Sequence, residues 1–220
     1  MDVEERYQLF QNPTREYKGK PFWSWNGQLK KDELLRQIDI MKKMGFGGYF
    51  MHSRTGLETE YLGEEWFKLI DACADYGEEH DMESWLYDED RWPSGTAGGI
   101  VTEDKKYRAM FLVADRYGFD QIDGLKWDRH VVAAFACHFD GIHYSDARRL
   151  NNTFEINEEE TLVIFSTHYA DCEDVYNGYT YLDTMNREGV EKFIRESHEK
   201  YSENCGSRIG KSIPGIFTDE

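Results

Sequence analysis

The stretch Tyr87-Asp88-Glu89-Asp90-Arg91-Trp92-Pro93-Ser94-Gly95 sets three carboxyl groups in a row among aromatic rings, a guanidinium and a hydroxyl. Three further clusters have the same character: Trp23-Ser24-Trp25-Asn26, His52-Ser53-Arg54 and the terminal Asp219-Glu220. Tryptophan offers a flat apolar face on which sugar C–H groups stack. Asn, Asp, His and Arg hydrogen-bond hydroxyls. Two separated carboxyl groups are what glycosidic cleavage requires, one to protonate the leaving oxygen and one to activate water or attack the sugar. No cluster is specific alone; their recurrence at the ends of successive apolar runs is what suggests a saccharide site.

The elements that must hold these clusters alternate. Pro21 to Trp25 reads as a strand running into the turn signal Asn26-Gly27. A helix follows, opened by Asp32, carrying Leu34, Leu35, Ile38, Met41 and Met44 on one side and ended by Gly45. Gly47 to Met51 is a second strand, Trp66 to Ala74 the apolar face of a second helix, and Met82 to Tyr87 a third strand. This rhythm predicts βαβ units on a parallel sheet. After Gly99 it changes: Met110–Ala114, Val131–Cys137 and Thr161–Thr167 read as strands without strong helices between them. The cycle then resumes with a strand over Tyr179–Leu182, a helix capped by Asn186 and a strand over Pro214–Thr218.

Carboxylates directly after an apolar strand suit the catalytic rim of a (β/α)8 barrel, whose active sites lie at the C-terminal strand ends. The expected fold is therefore α/β of TIM-barrel type, with about the first half present: 1–107 the first part of the barrel, 108–176 a small β-rich insertion, and 177–220 its continuation. A flavodoxin-like sheet is the alternative, although the first strand lacks a Gly-rich phosphate loop.

Composition narrows the partners. The 220 residues are 40% hydrophobic and 15% aromatic, enough for a real core, with a formal charge of −17. Such acidity disfavours nucleic acid and anionic membranes. No apolar run approaches the ~20 residues of a membrane span. The N-terminus lacks a basic start and an apolar stretch, so a cytoplasmic location is expected, or an extracytoplasmic one had a signal been removed. Cys73, Cys137, Cys172 and Cys205 form no CxxC pair and are expected to be reduced, mostly packed thiols. His80, His130, His138, His143, His168 and His198 share no metal-ligand spacing and are read as incidental.

Taken in order, Pro21-Phe22-Trp23-Ser24-Trp25-Asn26-Gly27, Gly45-Phe46-Gly47-Gly48, His52-Ser53-Arg54-Thr55-Gly56-Leu57, the Tyr87–Gly95 block with Ala97-Gly98-Gly99, and Gly215-Ile216-Phe217-Thr218-Asp219-Glu220 resemble the N-terminal part of the catalytic barrel in glycoside hydrolase family 106, the α-L-rhamnosidase-like proteins. The likeness is strong over 21–99 and weakest across 108–176. It implies removal of α-linked L-rhamnose with inversion by two glutamates, a bound calcium ion, and a chain several times longer. Glu220 is the catalytic candidate carried over, its acid or base role unassigned and its partner expected beyond the chain. Metal ligands stay unassigned.

Residue by residue, Trp23, Trp25, Asn26, His52, Arg54, Asp88, Glu89 and Trp92 are the candidate sugar-binding groups. Packing competes with function for several. Trp23 and Trp25 are expected to face opposite ways, so that at most one points inside. Arg54 could instead pair with Asp88 or Asp90, and Asp90 with Arg91 as a loop ion pair. Trp92-Pro93-Ser94-Gly95 could simply shape its turn. The expected function is hydrolysis of a terminal sugar, with α-L-rhamnose foremost and an oligosaccharide or glycoside as partner. The 220-residue chain alone is expected to be nearly inactive and to self-associate through open half-barrel edges. A non-catalytic carbohydrate-binding protein is the rival reading.

Overall fold

The structure, a computed structural model, describes residues 1–219. In chain order the helices are α1 (Val3–Gln11), α2 (Lys31–Lys43), α3 (Glu64–Glu79), α4 (Arg187–Phe193) and α5 (Lys200–Cys205), the last two joined by a π-helical stretch, Ile194–Glu199. The strands are β1 (Phe22–Gly27), β2 (Gly48–Leu57), β3 (Glu83–Tyr87), β4 (Met110–Tyr117), β5 (Val131–Phe139), β6 (Tyr144–Leu150), β7 (Thr161–Tyr169) and β8 (Ile216–Phe217). They divide between two compact units, Met1–Arg108 with Cys172–Glu220, and Ala109–Asp171.

The first unit is a four-stranded parallel sheet in the order β1-β2-β3-β8. Helix α2 buries Leu34, Ile38 and Met41, spaced by a turn each, while Asp32 and Glu33 in its first turn and Lys42 and Lys43 in its last complement the helix dipole. Helix α3 buries Trp66, Phe67, Leu69, Ile70, Cys73 and Ala74. Its approach to the sheet is close at Gly77, where a Cβ would lie 2.6 Å from the Tyr49 hydroxyl oxygen and 2.7 Å from Ser84 Oγ. Tyr49 donates to the Cys73 carbonyl at 2.6 Å and accepts from Ser84 Oγ at 2.9 Å, so strand, helix and neighbouring strand are tied at one point. Burial pushes the Cys73 thiol up, keeping it protonated.

Trp23 and Trp25 are both buried in this core. Their rings meet edge to face 5.4 Å apart, Trp23 also meets Tyr49, and Trp25 meets Trp66 of α3. The expectation that at most one points inward is thus corrected: residues two apart in a strand share a face. Phe22, Ser24 and Asn26 occupy the other face of β1. On that side Phe22, Phe50, Tyr87 and Phe217 form a ring cluster with centroids 4.9–5.7 Å apart.

The half-barrel expectation is overturned. The eight strands form two separate four-stranded sheets, one parallel and one antiparallel. Among the described residues the parallel sheet is open, with β1 and β8 as its edges. Alternating strands and helices enforce parallel neighbours with crossover connections, a condition open sheets and barrels both meet. Closure depends on strand tilt and stagger, which no local pattern encodes. Residues 179–182 likewise form no strand; Tyr179 bridges Glu173 and Leu182 bridges Arg108 as isolated pairs.

The second unit is the antiparallel sheet β4-β7-β5-β6, whose core holds Ala134, Ala136, Leu150, Ile156, Leu162 and Ile164. Strand β6, absent from the sequence reading, is exposed except at Leu150 and lies at a sheet edge, where a polar, charged sequence discourages pairing with other chains. Among the described residues no helix is long and apolar enough to cross a membrane, and all four cysteines are free, Cys172 alone being exposed.

Candidate functional site

The carboxyl ends of β1, β2, β3 and β8 carry polar groups toward one cavity of the first unit. Ligands of open α/β sheets sit at this end of the strands. The cavity measures about 210 Å³ and is lined by Phe22, Ser24, His52, Arg54, Tyr87 and Asp219. Parallel register accounts for the gathering: Ser24 lies beside His52 across β1 and β2, and Tyr87 beside Phe217 across β3 and β8. Tyr87 and His52 stack at 3.8 Å between centroids with planes 10° apart.

Behind the cavity wall stands a buried polar network. His52 Nε2 meets Glu89 Oε1 at 2.7 Å, with His52 4% and Glu89 1% exposed. Ser94 Oγ donates to Asp88 Oδ1 at 2.6 Å and approaches Glu89 Oε2 at 3.3 Å. The same oxygen accepts the Asp219 backbone N–H at 2.9 Å. Tyr87 donates its hydroxyl to Asp219 Oδ2 at 3.2 Å. Asp88, fully buried, is held from its other oxygen by His198 Nε2 at 2.7 Å. The π-helical stretch supplies His198, and its neighbour Ser197 reaches the Asp88 carbonyl at 3.4 Å. Such wide turns recur at functional sites.

Burial pushes the Glu89 carboxyl up; the His52 hydrogen bond opposes this and Asp219 adds to it, leaving it above the ordinary carboxylate range. Burial, reinforced by Glu89 and Asp219, likewise raises the Tyr87 hydroxyl, so it stays a donor. With Glu89 ionised, His52 Nε2–H donates to it; with Glu89 protonated, the carboxyl donates to Nε2. Either way Nε2 is committed, which fixes the orientation of the imidazole.

Of the sequence candidates, His52 and Arg54 line the cavity, and Glu89 orients His52 from behind. Asp88 is an internal anchor rather than part of the wall. Trp23 and Trp25 belong to the core on the helix side, Trp23 Nε1 donating to Gln37 Oε1 at 2.7 Å. Asn26 is exposed beyond the cavity. Trp92, 50% exposed, precedes the cis Trp92–Pro93 peptide. Glu220 lies outside the described residues. The pairing of Arg54 with Asp88 or Asp90 does not form: Asp88 holds His198 and Ser94, while Asp90 accepts from Ser53 and from Asn177 Nδ2. Nor do Asp90 and Arg91 pair, since Arg91 donates to the Asp174 carbonyl at 2.7 Å.

Two participants are not legible in the sequence. His198 was set aside as incidental, yet it is Asp88's partner across 110 positions. Ser94 was read as turn chemistry, yet it joins Asp88, Glu89 and Asp219. Asp219, expected at a strand end with Glu220 but not singled out as a sugar-binding group, lines the cavity.

Calcium takes 6–8 oxygen ligands. Among the described residues no group of three or more His, Cys, Asp or Glu side chains could hold a metal ion. The donor set therefore does not fit the calcium that the resemblance implies, and no step is derived through it.

Comparison with protein-family models gives no match, and comparison with curated proteins gives none. Among solved structures, a rhamnosidase from Novosphingobium sp. PP1Y is similar at 19% identity and a TM-score of 0.42, over 59% of this chain and 15% of that one. The chain thus spans a small part of that enzyme's length.

Proposed function

We propose that the first unit carries the sugar-gripping part of a glycoside hydrolase site, acting on a terminal sugar, with α-L-rhamnose as that sugar. The observation that carries this reading is the cavity at the strand ends, which is bordered by the rings of Phe22, Tyr87 and His52 and by Ser24, Arg54 and Asp219. A saccharide needs both surfaces: apolar rings for its C–H faces, and charged or polar groups for its hydroxyls. The motif resemblance over residues 21–99 supports the same substrate class.

In this reading Asp219 is the carboxylate that meets the sugar, Tyr87 holds it in place, and His52, oriented by Glu89, is a wall of the cavity beside it. The second reading, a binding protein without cleavage, is favoured by one observation. Among the described residues Asp219 is the only carboxylate lining the cavity, whereas glycosidic cleavage uses two.

Calorimetric titration with L-rhamnose, together with release of L-rhamnose from an aryl α-L-rhamnoside, tests both. Binding is expected, and Asp219→Asn should weaken it by about tenfold or more, the loss of a hydrogen bond to a charged group. Release that Asp219→Asn abolishes supports hydrolysis and excludes the second reading; binding without release fits both. No binding of the sugar overturns both.

A further inference from the structure

Asp219 reaches the cavity wall from a short support. Strand β8 is two residues long and, among the described residues, pairs only with β3. The ladder bond nearest its end runs from the Asp88 N–H to the Phe217 carbonyl at 3.2 Å. Past that point a backbone N–H shielded from water must find another acceptor. The Asp219 N–H finds it in Ser94 Oγ, at 2.9 Å. The side chain is held separately, by the Tyr87 hydroxyl at 3.2 Å from Oδ2. Asp219 is therefore pinned twice, by its backbone and by its carboxylate.

The backbone pin depends on where one proton points. A serine hydroxyl has a single proton and two lone pairs, and it rotates to suit its neighbours. Ser94, 3% exposed, gives its proton to Asp88 Oδ1 at 2.6 Å, a length usual for a hydroxyl on a carboxylate. Only lone pairs then remain, and one of them accepts from Asp219. Asp88 is fixed in turn, because His198 Nε2 meets its other oxygen at 2.7 Å and Ser197 Oγ its carbonyl at 3.4 Å. The Asp88 side chain is fully buried, whereas that of His198 is 36% exposed. A line of contacts thus runs from a partly exposed imidazole, through two buried groups, to a carboxylate of the cavity wall.

We propose that Ser94 is the positioning residue for Asp219 in sugar binding, and that His198, acting through Asp88, sets the direction in which Ser94 offers its lone pairs. The proposal rests on the saccharide reading of the strand-end cavity and deepens it. Neither Ser94 nor His198 lines that cavity, so both act on the sugar only through Asp219.

The test uses the full chain, calorimetry with L-rhamnose, and the Asp219 backbone amide signal in nuclear magnetic resonance. Ser94→Ala is expected to weaken binding by about tenfold, as loss of one hydrogen bond implies, and to move the Asp219 amide signal before any sugar is added. Ser94→Thr, which keeps a hydroxyl, should restore most of both. His198→Ala should weaken binding by about threefold and move the same amide. His198→Gln, whose side-chain amide donates to Asp88 in place of the imidazole, should recover the affinity. Wild-type affinity in a folded Ser94→Ala, or an Asp219 amide unmoved by it, overturns the proposal. So does a loss in His198→Ala that His198→Gln leaves in place. Should Ser94→Ala not fold, the wild type decides: its Asp219 amide should exchange with deuterated water about tenfold or more slowly than an unprotected one, and free exchange overturns the proposal. Failure of the underlying reading is seen separately, as no binding of L-rhamnose by the wild type or as Asp219→Asn binding it unchanged.

Discussion

Glu89 concentrates the electrostatics of the site. Its neutral form is favoured by burial and by the nearby Asp219, against the pull of His52. A carboxyl whose pKa is raised on folding contributes stability that is full below the unfolded value, near 4.5, and is lost as pH rises through the elevated folded value. Denaturation midpoints of the wild type should therefore fall over that interval relative to those of Glu89→Gln, which has no proton to lose. Parallel profiles for the two proteins would contradict a raised Glu89. His198 works differently: it partners a fully buried Asp88. His198→Ala leaves that carboxylate with Ser94 alone, and a buried charge robbed of one partner is costly. A loss of about 3 kcal/mol is expected in equilibrium unfolding, and a neutral substitution would show that solvent replaces the imidazole.

The elements explain how much of this was legible. Helices α2 and α3 were readable because their apolar residues recur at helical spacing against nearby strands. The gathering of His52, Tyr87 and Asp219 was foreshadowed by polar groups placed just after apolar runs. Trp23 and Trp25 were misassigned because strand parity was misapplied; correctly used, it puts both on the helix side with Trp66. His198 had no local signal at all, for its meaning depends on a helix that returns to β3 through Ser197 and through Tyr201, whose hydroxyl donates to the Tyr87 carbonyl at 3.1 Å. Strand β6 was hidden by its polarity, which suits an edge. Trp66 is the keystone of α3: fully buried, it meets Trp25 and Tyr61 edge to face and donates to the Tyr201 hydroxyl at 3.2 Å. Trp66→Ala should cost about 3–5 kcal/mol in chemical denaturation; a loss below about 1 kcal/mol would mean that the layer packs without it.

The whole chain consists of two units, one of which is a continuous segment, Ala109–Asp171. Its ends are close, since Ala170 N–H donates to the Ala109 carbonyl at 2.9 Å. The flanking Arg108 and Cys172 also meet, Nη1 to Sγ, at 3.7 Å. A short Gly/Ser link in place of Ala109–Asp171 should therefore leave the first unit folded, with a cooperative melt, since its core cluster draws only on residues outside that segment. A non-cooperative melt would show that the antiparallel sheet is needed for the parallel one to fold. The strand-end cavity is the feature on which the functional reading stands, and one measurement addresses it directly. Side-chain nuclear magnetic resonance of the full chain, titrated with L-rhamnose, should shift the ring signals of His52, Tyr87 and Phe22 together and saturably, with Asp219→Asn suppressing the effect. Signals that stay in place throughout the titration, or shifts confined to residues elsewhere, would contradict a sugar site at the ends of these strands.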